Sequence, residues 1–543
     1  MQKRLRTLAA LALSVALLSG CSGGKPADQT NQSAQTPQQP SKPQGDQNLV
    51  IGVEFEHSGN DPAITYDNST RLIVAMYENL VTLKKETTEI IPQLAEKWNV
   101  SEDGKVYTFN LRKGVKFHDG TDLTAEAVKL SLERMVKINK GPAWMFKGAW
   151  EKIDTPDPLT VVLTLKQPDA SFLAKLAGPA GPQIISAKAI KEHSGTDDGQ
   201  AYFRENEAGT GPYTLEKWEK GQQVVLAKFA DYWGGWQGKH LDKLIFKYVK
   251  EASTQQQLLE KGEIDVAYLL PLDQLKALKD KPPAGVKVSD GVTQNVRYIA
   301  IHNQRGPLKD KRVRQAIAYA VDYDGLIKNV WSDLEEPLIG PLPNADPNHF
   351  KGTWPYKFDM AKAKALMKEA GYEKGGFSLK LGLYENNDPF KAIAEVLQAN
   401  LKELGIDVQI EVHSNASMSQ LSGKIDTMFD LMPIGNYPDY GDSSSMLGNE
   451  LASWAWGANG WNFSYYKSDR VDQLLKDVNL TTDAAKRAQM FQEIQTVFAD
   501  EVPLVPVSTR RNLIAMRDTV QGFYARPMMG NSFPVYDMYK EAK

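Results

Sequence analysis

The chain has 543 residues, with 64 Lys and Arg against 67 Asp and Glu, a formal net charge of −3, and a single cysteine. That balance, with no long basic stripe, gives no reason to expect nucleic acid as a partner. One thiol excludes intramolecular disulfides, a zinc-type cysteine cluster and, once modified, a cysteine nucleophile, so packing must carry the stability of the body.

The first element is an N-terminal leader. Lys3, Arg4 and Arg6 precede an apolar run over 8–18, which closes on Leu18-Ser19-Gly20-Cys21. A finished membrane helix needs about 20 apolar residues, so this shorter run reads as a secretory signal peptide over 1–20. Small residues before a lone cysteine resemble the lipobox of bacterial lipoproteins. That resemblance implies cleavage before Cys21, lipidation of its thiol, and a mature protein held on the extracytoplasmic face of the membrane. An ordinary secretion signal with an incidental cysteine is the alternative. Residues 21–47 contain no aromatic side chain and are dominated by Gln, Ser, Pro, Gly, Asn and Thr. Such a stretch cannot bury enough apolar surface to offset its ordering entropy and is expected to be a disordered tether. As a flexible coil it reaches about 25–30 Å.

Roughly 495 residues follow, a length for two or three domains, and none of their apolar runs is long enough to span a membrane. A short apolar strand is expected over 49–55. Tyr107, Phe109 and Leu111 alternate with Thr108 and Asn110, the period of a half-buried strand, and 161–165 and 224–229 read alike. Thr124 is placed to cap a helix whose Val128, Leu132 and Met135 share a face. Val313, Ile317, Ala320 and Val321 form another apolar face. Asp359 caps a helix carrying Ala363, Leu366, Met367 and Ala370, with Gly371 available as a left-handed stop. Later helices are expected over 390–404, 470–479 and 483–498. The pattern is α/β or α+β with mixed sheets.

A catalytic set is missing from the pattern. The seven histidines show no i, i+4 metal pair and no HExxH, Gly209-Thr210-Gly211 is too short for a phosphate loop, and no GxSxG precedes a helix. Glu54 and Glu56 share a strand face, as alternate residues do in any strand. An extracellular hydrolase would lack nucleophile, base and metal, so no enzyme, metal or cofactor is expected.

A series of stretches carries a resemblance instead. In order they are Met76-Tyr77-Glu78-Asn79-Leu80-Val81, Pro92-Gln93-Leu94-Ala95-Glu96-Lys97-Trp98, residues 104–111 and 112–120, Leu123-Thr124-Ala125 and Ser131-Leu132-Glu133-Arg134. Gly209-Thr210-Gly211-Pro212-Tyr213, Asp231-Tyr232-Trp233-Gly234-Gly235, Gly262-Glu263-Ile264-Asp265, residues 312–317 and Glu369-Ala370-Gly371-Tyr372 continue it. Together they resemble the extracytoplasmic solute-binding proteins of peptide and nickel ABC transporters, typified by oligopeptide- and dipeptide-binding proteins (family 5). The resemblance implies an α/β, periplasmic-binding-protein-like flytrap of cluster C, with three lobes built of mixed sheets flanked by helices. Lobe I would take 48–67, 205–305 and 502–543, lobe II 68–204, and lobe III 306–501. Most of these stretches mark the fold, and His118 is read as a loop residue, not a ligand.

Peptide-binding members enclose an extended peptide and set an Asp of lobe III against its ammonium, since a buried unpaired ion costs several kcal/mol. The resemblance places Asp439 in that role, within Pro438-Asp439-Tyr440-Gly441-Asp442. A turn aspartate is the alternative reading, and Asp442 is the rival. Tyr440 belongs to the same segment. A cleft-lining strand over 293–303 offers Asn295, Arg297 and Tyr298, although plain sheet duty fits them equally. Trp454, Trp456, Trp461 and Asn462 fall where relatives contribute lobe III pocket residues, and core packing is their alternative. Some oligopeptide binders carry an Arg six residues before the amine-binding Asp, but Pro433 stands there in this chain. The carboxylate of a peptide would then need Arg297 or another cation. The function implied is capture of di- or oligopeptides by lobe closure, with delivery to a membrane permease driven by separate ATPases. Receptors of this kind also take nickel chelates, glutathione, haem or oligosaccharides. A monomer is expected.

Overall fold

The computed structural model describes residues 47–542 apart from 269, 386, 458–459 and 529–532. The expected signal peptide, Cys21 and the tether up to 46 lie outside the described residues. Gln47, expected as the last tether residue, is instead buried. Its side chain donates to the Lys540 carbonyl at 2.9 Å and accepts from the Lys540 N–H at 3.0 Å, which ties the start of the body to its end.

Strand β1 (Asn48–Val53) opens the body. Strands β2 (Val81–Leu83) and β3 (Ile90–Pro92) form a ribbon. Four more strands, β4 (Ala95–Val100), β5 (Val106–Leu111), β6 (Trp150–Asp157) and β7 (Thr160–Leu165), make an antiparallel sheet in the order β4-β5-β7-β6. The remainder are β8 (Tyr213–Glu219), β9 (Gln223–Lys228), β10 (Lys243–Tyr248), β11 (Val266–Ala267), β12 (Val286–Ile301), β13 (Glu335–Pro337), β14 (Phe377–Tyr384), β15 (Ile406–His413), β16 (Leu431–Asn436) and β17 (Leu504–Arg517). With β1 they build an 11-stranded sheet ordered β15-β14-β16-β12-β17-β11-β1-β10-β9-β8, with β13 paired to β17. Parallel pairs (β1 with β10 and β11, β14 with β15 and β16) stand beside antiparallel ones, so the class is mixed α/β.

Local chemistry explains the elements. Along β5 and β7 exposure alternates residue by residue, the signature of strands covered on one face. Thr124 Oγ1 accepts the Ala127 N–H at 3.3 Å and starts the helix Ala125–Ile138. Asp359 does the same for Lys362 and Met360–Glu369, and Gly371 takes φ +85° where a side chain would be strained. Val313, Ile317, Ala320 and Val321 are all fully buried.

The core divides into separate hydrophobic clusters. One joins β14, β15 and β16 to the C-terminal half of β12 and the first residues of β17. A second lies under the four-stranded sheet. Two more flank β1, one toward β9 and β10 and one toward β11 with the N-terminal half of β12. Residues 72–77 and 185–203, inside the segment expected for lobe II, pack their apolar side chains into a cluster with β1. Strands β12 and β17 serve cores on both sides. Their ladder runs from Val286↔Arg517 to Val292↔Arg511, breaks at a bulge, and resumes from Val296↔Thr509 to Ala300↔Leu504.

Many of the sequence marks meet at one buried carboxylate. Glu78, 3% exposed, accepts from Thr210 Oγ1 at 2.9 Å, Tyr232 OH at 2.9 Å, Trp233 Nε1 at 2.7 Å and Gln93 Nε2 at 3.4 Å. Burial raises its pKa, and these four donors oppose the rise. His118 is likewise structural: its Nδ1 meets Glu207 Oε2 at 2.6 Å and its Nε2 meets the Gly211 carbonyl at 2.9 Å.

Candidate functional site

Strand β16 delivers the chain to Tyr437, Pro438 and Asp439. The Asp439 N–H donates to Ser445 Oγ at 2.9 Å, at the start of the helix Ser443–Leu451, and that helix returns Asn449 to the carboxylate. Asp439 Oδ2 accepts from Asn449 Nδ2 at 2.7 Å. Its Oδ1 accepts from Tyr66 OH at 2.7 Å, a contact between residues 373 apart in sequence. Both donors are neutral, and among the described residues no basic side chain is ion-paired with Asp439. Burial raises its pKa above the usual carboxylate range, while the Tyr66 and Asn449 hydrogen bonds pull it back. The Tyr66 hydroxyl is pushed up in turn, first by burial and then by the Asp439 charge, and stays protonated as a donor.

Asp439 lines a cavity of about 260 Å³ with Tyr66, Asp67, Asn68, Thr70, Arg71, Pro179, Ala180, Asn295, Tyr437, Pro438 and Met528. The carboxylate keeps some accessible surface because it opens onto this space, yet the surrounding protein desolvates it. Asp442, its rival, is committed elsewhere: Arg487 holds it with two bonds of 2.9 Å, and it caps the following helix. Among the described residues no group of three or more His, Cys, Asp or Glu could hold a metal ion.

The structure brings Asn295 to the same cavity, where it lies in the β12 bulge with its N–H on Thr293 Oγ1. It draws Arg297 away. The Arg297 guanidinium lies against Glu335 at 2.8–3.1 Å, with both groups nearly inaccessible, so its charge is already neutralised. Tyr298 is fully buried and donates to the Pro341 carbonyl at 2.6 Å. Tyr440 packs into the cluster under the four-stranded sheet with Lys175 over its ring. Asn462 is fully buried and ties its own loop, donating to Ala452 and Tyr466 carbonyls. Trp456 spends its Nε1 on the Tyr466 carbonyl at 2.6 Å. These are core and loop-building roles, as expected of polar tips that must be satisfied when buried. Trp454 stands exposed beside Lys476. Trp461 lines a separate cavity with Tyr384, Asn387, Phe390 and Phe463. Nothing in the local sequence pattern marks Tyr66, Arg71 or Asn449 as site residues.

A family model described as bacterial extracellular solute-binding proteins, family 5 middle, matches residues 89–458. The probable D,D-dipeptide-binding periplasmic protein DdpA of Escherichia coli strain K12 is 36% identical over 499 residues, 91% of this chain and 94% of that protein. A glutathione-binding protein GsiB of Pectobacterium atrosepticum is 30% identical over 498 residues, again 91% and 94%. Of solved structures, the DppA periplasmic binding protein of Helicobacter pylori in complex with the peptide STSA superposes with a TM-score of 0.77 at 27% identity, covering 91% of this chain and 98% of that one. HbpA2 of Haemophilus parasuis gives 0.80 at 26%, covering 91% and 100%.

Proposed function

The chain belongs to the bacterial extracellular solute-binding proteins of family 5, and from that premise we propose that it captures short peptides outside the membrane and presents them to the permease of an ABC importer. It is a binding protein, not an enzyme. Among the described residues no helix is long and apolar enough to cross a membrane, and attachment falls to lipid on Cys21.

One observation carries the peptide reading. Asp439 is a desolvated carboxylate in a cavity, held by two neutral donors and, among the described residues, ion-paired with no cation. A buried charge in that condition is stabilised by an incoming cation, and a peptide ammonium supplies one together with N–H donors for the remaining lone pairs. Its two donors come from opposite sides of the cleft, Tyr66 before the helix Thr70–Ile73 and Asn449 from Ser443–Leu451. A ligand bound there favours the closed arrangement of the lobes, which is the mechanism of capture. The names of the D,D-dipeptide and STSA-binding relatives support the same ligand class.

Calorimetric titration of the protein with di-, tri- and longer peptides of both configurations, glutathione and a nickel–histidine chelate tests this reading. A short peptide should bind, and Asp439→Asn should weaken it by more than tenfold, about 1.4 kcal/mol, with an unchanged circular dichroism spectrum. Binding of the chelate alone, or unchanged peptide affinity in the variant, sinks the reading. Separately, Cys21→Ser should release the protein from the membrane fraction.

A further inference from the structure

We infer that Arg71 forms a subsite for the ligand's carboxylate, so that the site selects a short zwitterion with both termini free. The inference rests on the peptide reading and adds the second charge.

Arg71 lies in the wall of the cavity that Asp439 lines. Its guanidinium sits 5.4 Å from the Tyr268 ring centre, and Nη1 donates to Asn68 Oδ1. Its Nε is buried and has no hydrogen-bond partner. Among the described residues no carboxylate lies within ion-pair distance of it, although its charge is felt at Glu54 and Asp67 shares the cavity wall. Unsatisfied donors on a charged group are costly, and the Nε–Nη edge of a guanidinium matches the two oxygens of a carboxylate.

Size sets the length. Ligand pockets for drug-sized molecules run to about 300–1,000 Å³, and this cavity of about 260 Å³ falls below that range. An extended chain advances about 3.3–3.6 Å per residue, so one small cavity that holds both an acid for the ammonium and a guanidinium for the carboxylate fits about two residues, not a long peptide passing through.

The test is calorimetry on the full-length protein with Ala-Ala and D-Ala-D-Ala, each free, C-terminally amidated and N-acetylated. For whichever binds, amidation should weaken wild-type binding at least tenfold. Arg71→Gln should weaken the free acid at least tenfold but the amide less than threefold, closing the gap between them. Arg71→Lys keeps the charge and should fall between, which separates anion reading from a loss of fold. An amide that binds as well as the acid, while N-acetylation abolishes binding, overturns the carboxylate subsite and leaves the peptide reading intact. Equal weakening of acid and amide by Arg71→Gln also overturns it. No binding of any free dipeptide overturns the peptide reading and this inference with it.

Discussion

Glu450 is fully buried one residue beyond Asn449, with Asn436 Nδ2 on its Oε1. Burial pushes its carboxyl up to about 8, and the Asn436 hydrogen bond opposes the shift only in part. An unfolded glutamate titrates near 4.5, so below that pH both states hold the proton and the group is silent. Above it the unfolded chain ionises first. Stability then falls as pH rises toward 8, by about 1.4 kcal/mol per pH unit at most, and levels off beyond. Glu450→Gln keeps the shape and removes the titration. Urea melts should therefore show the variant more stable than wild type at pH 8 and equal at pH 4.5; equal stability at both would mean that the carboxyl is not buried as a neutral acid. Asp439 has the opposite task. Its charge attracts the ammonium, so peptide affinity should fall on acidification, and at a higher pH than for an exposed aspartate because its pKa is raised. The sequence could nominate Asp439 because a five-residue segment carries the resemblance. It could not nominate Tyr66 or Asn449, which reach that carboxylate from far along the chain and from the next helix. Nor could it show that Arg297 would be neutralised by Glu335, a partner 38 residues away.

At the scale of elements, the local patterns were legible because they record local physics. Alternation along β5 and β7, the Thr124 and Asp359 caps and the Gly371 stop all depend on neighbours within a few residues. The lobe limits were less so. Residues 72–77 and 185–203 go to the cluster with β1, since amphipathic stretches declare that they bury a face but not against what. The sequence marks also acquire a cause: Gln93, Thr210 and the adjacent pair Tyr232 and Trp233 come from three separate stretches, and each donates to Glu78. Gly209 and Gly211 stay bare because a Cβ there would stand 2.0–2.5 Å from the carbonyls of Met76 and Ala75. Glu78→Ala strands the buried Thr210 and three half-buried donors at once and should cost about 3 kcal/mol or more. A loss under about 1 kcal/mol in chemical denaturation would remove Glu78 as the hub.

Asp439 bonds Tyr66 from 373 residues away and shares a cavity with Arg71, and on the proposed closure these residues would lie on opposite sides of the cleft. Ligand at a hundredfold excess over Kd should stabilise the fold by about 2.7 kcal/mol, and small-angle scattering should show a smaller radius of gyration. Stabilisation without compaction would remove lobe closure from the mechanism. The pair β12 and β17 crosses from one core to the other, and its register slips twice on the way, at the bulge over 293–295 and again between Arg297 and Tyr298. Such a joint is a leaf spring, stiff against shear and soft against bending. A bend taken up at 293–295, where β12 and β17 have no paired residues, would leave the paired stretches on either side together, and on the closure proposed above the force that opens the jaws would work mainly against the grip on the cargo.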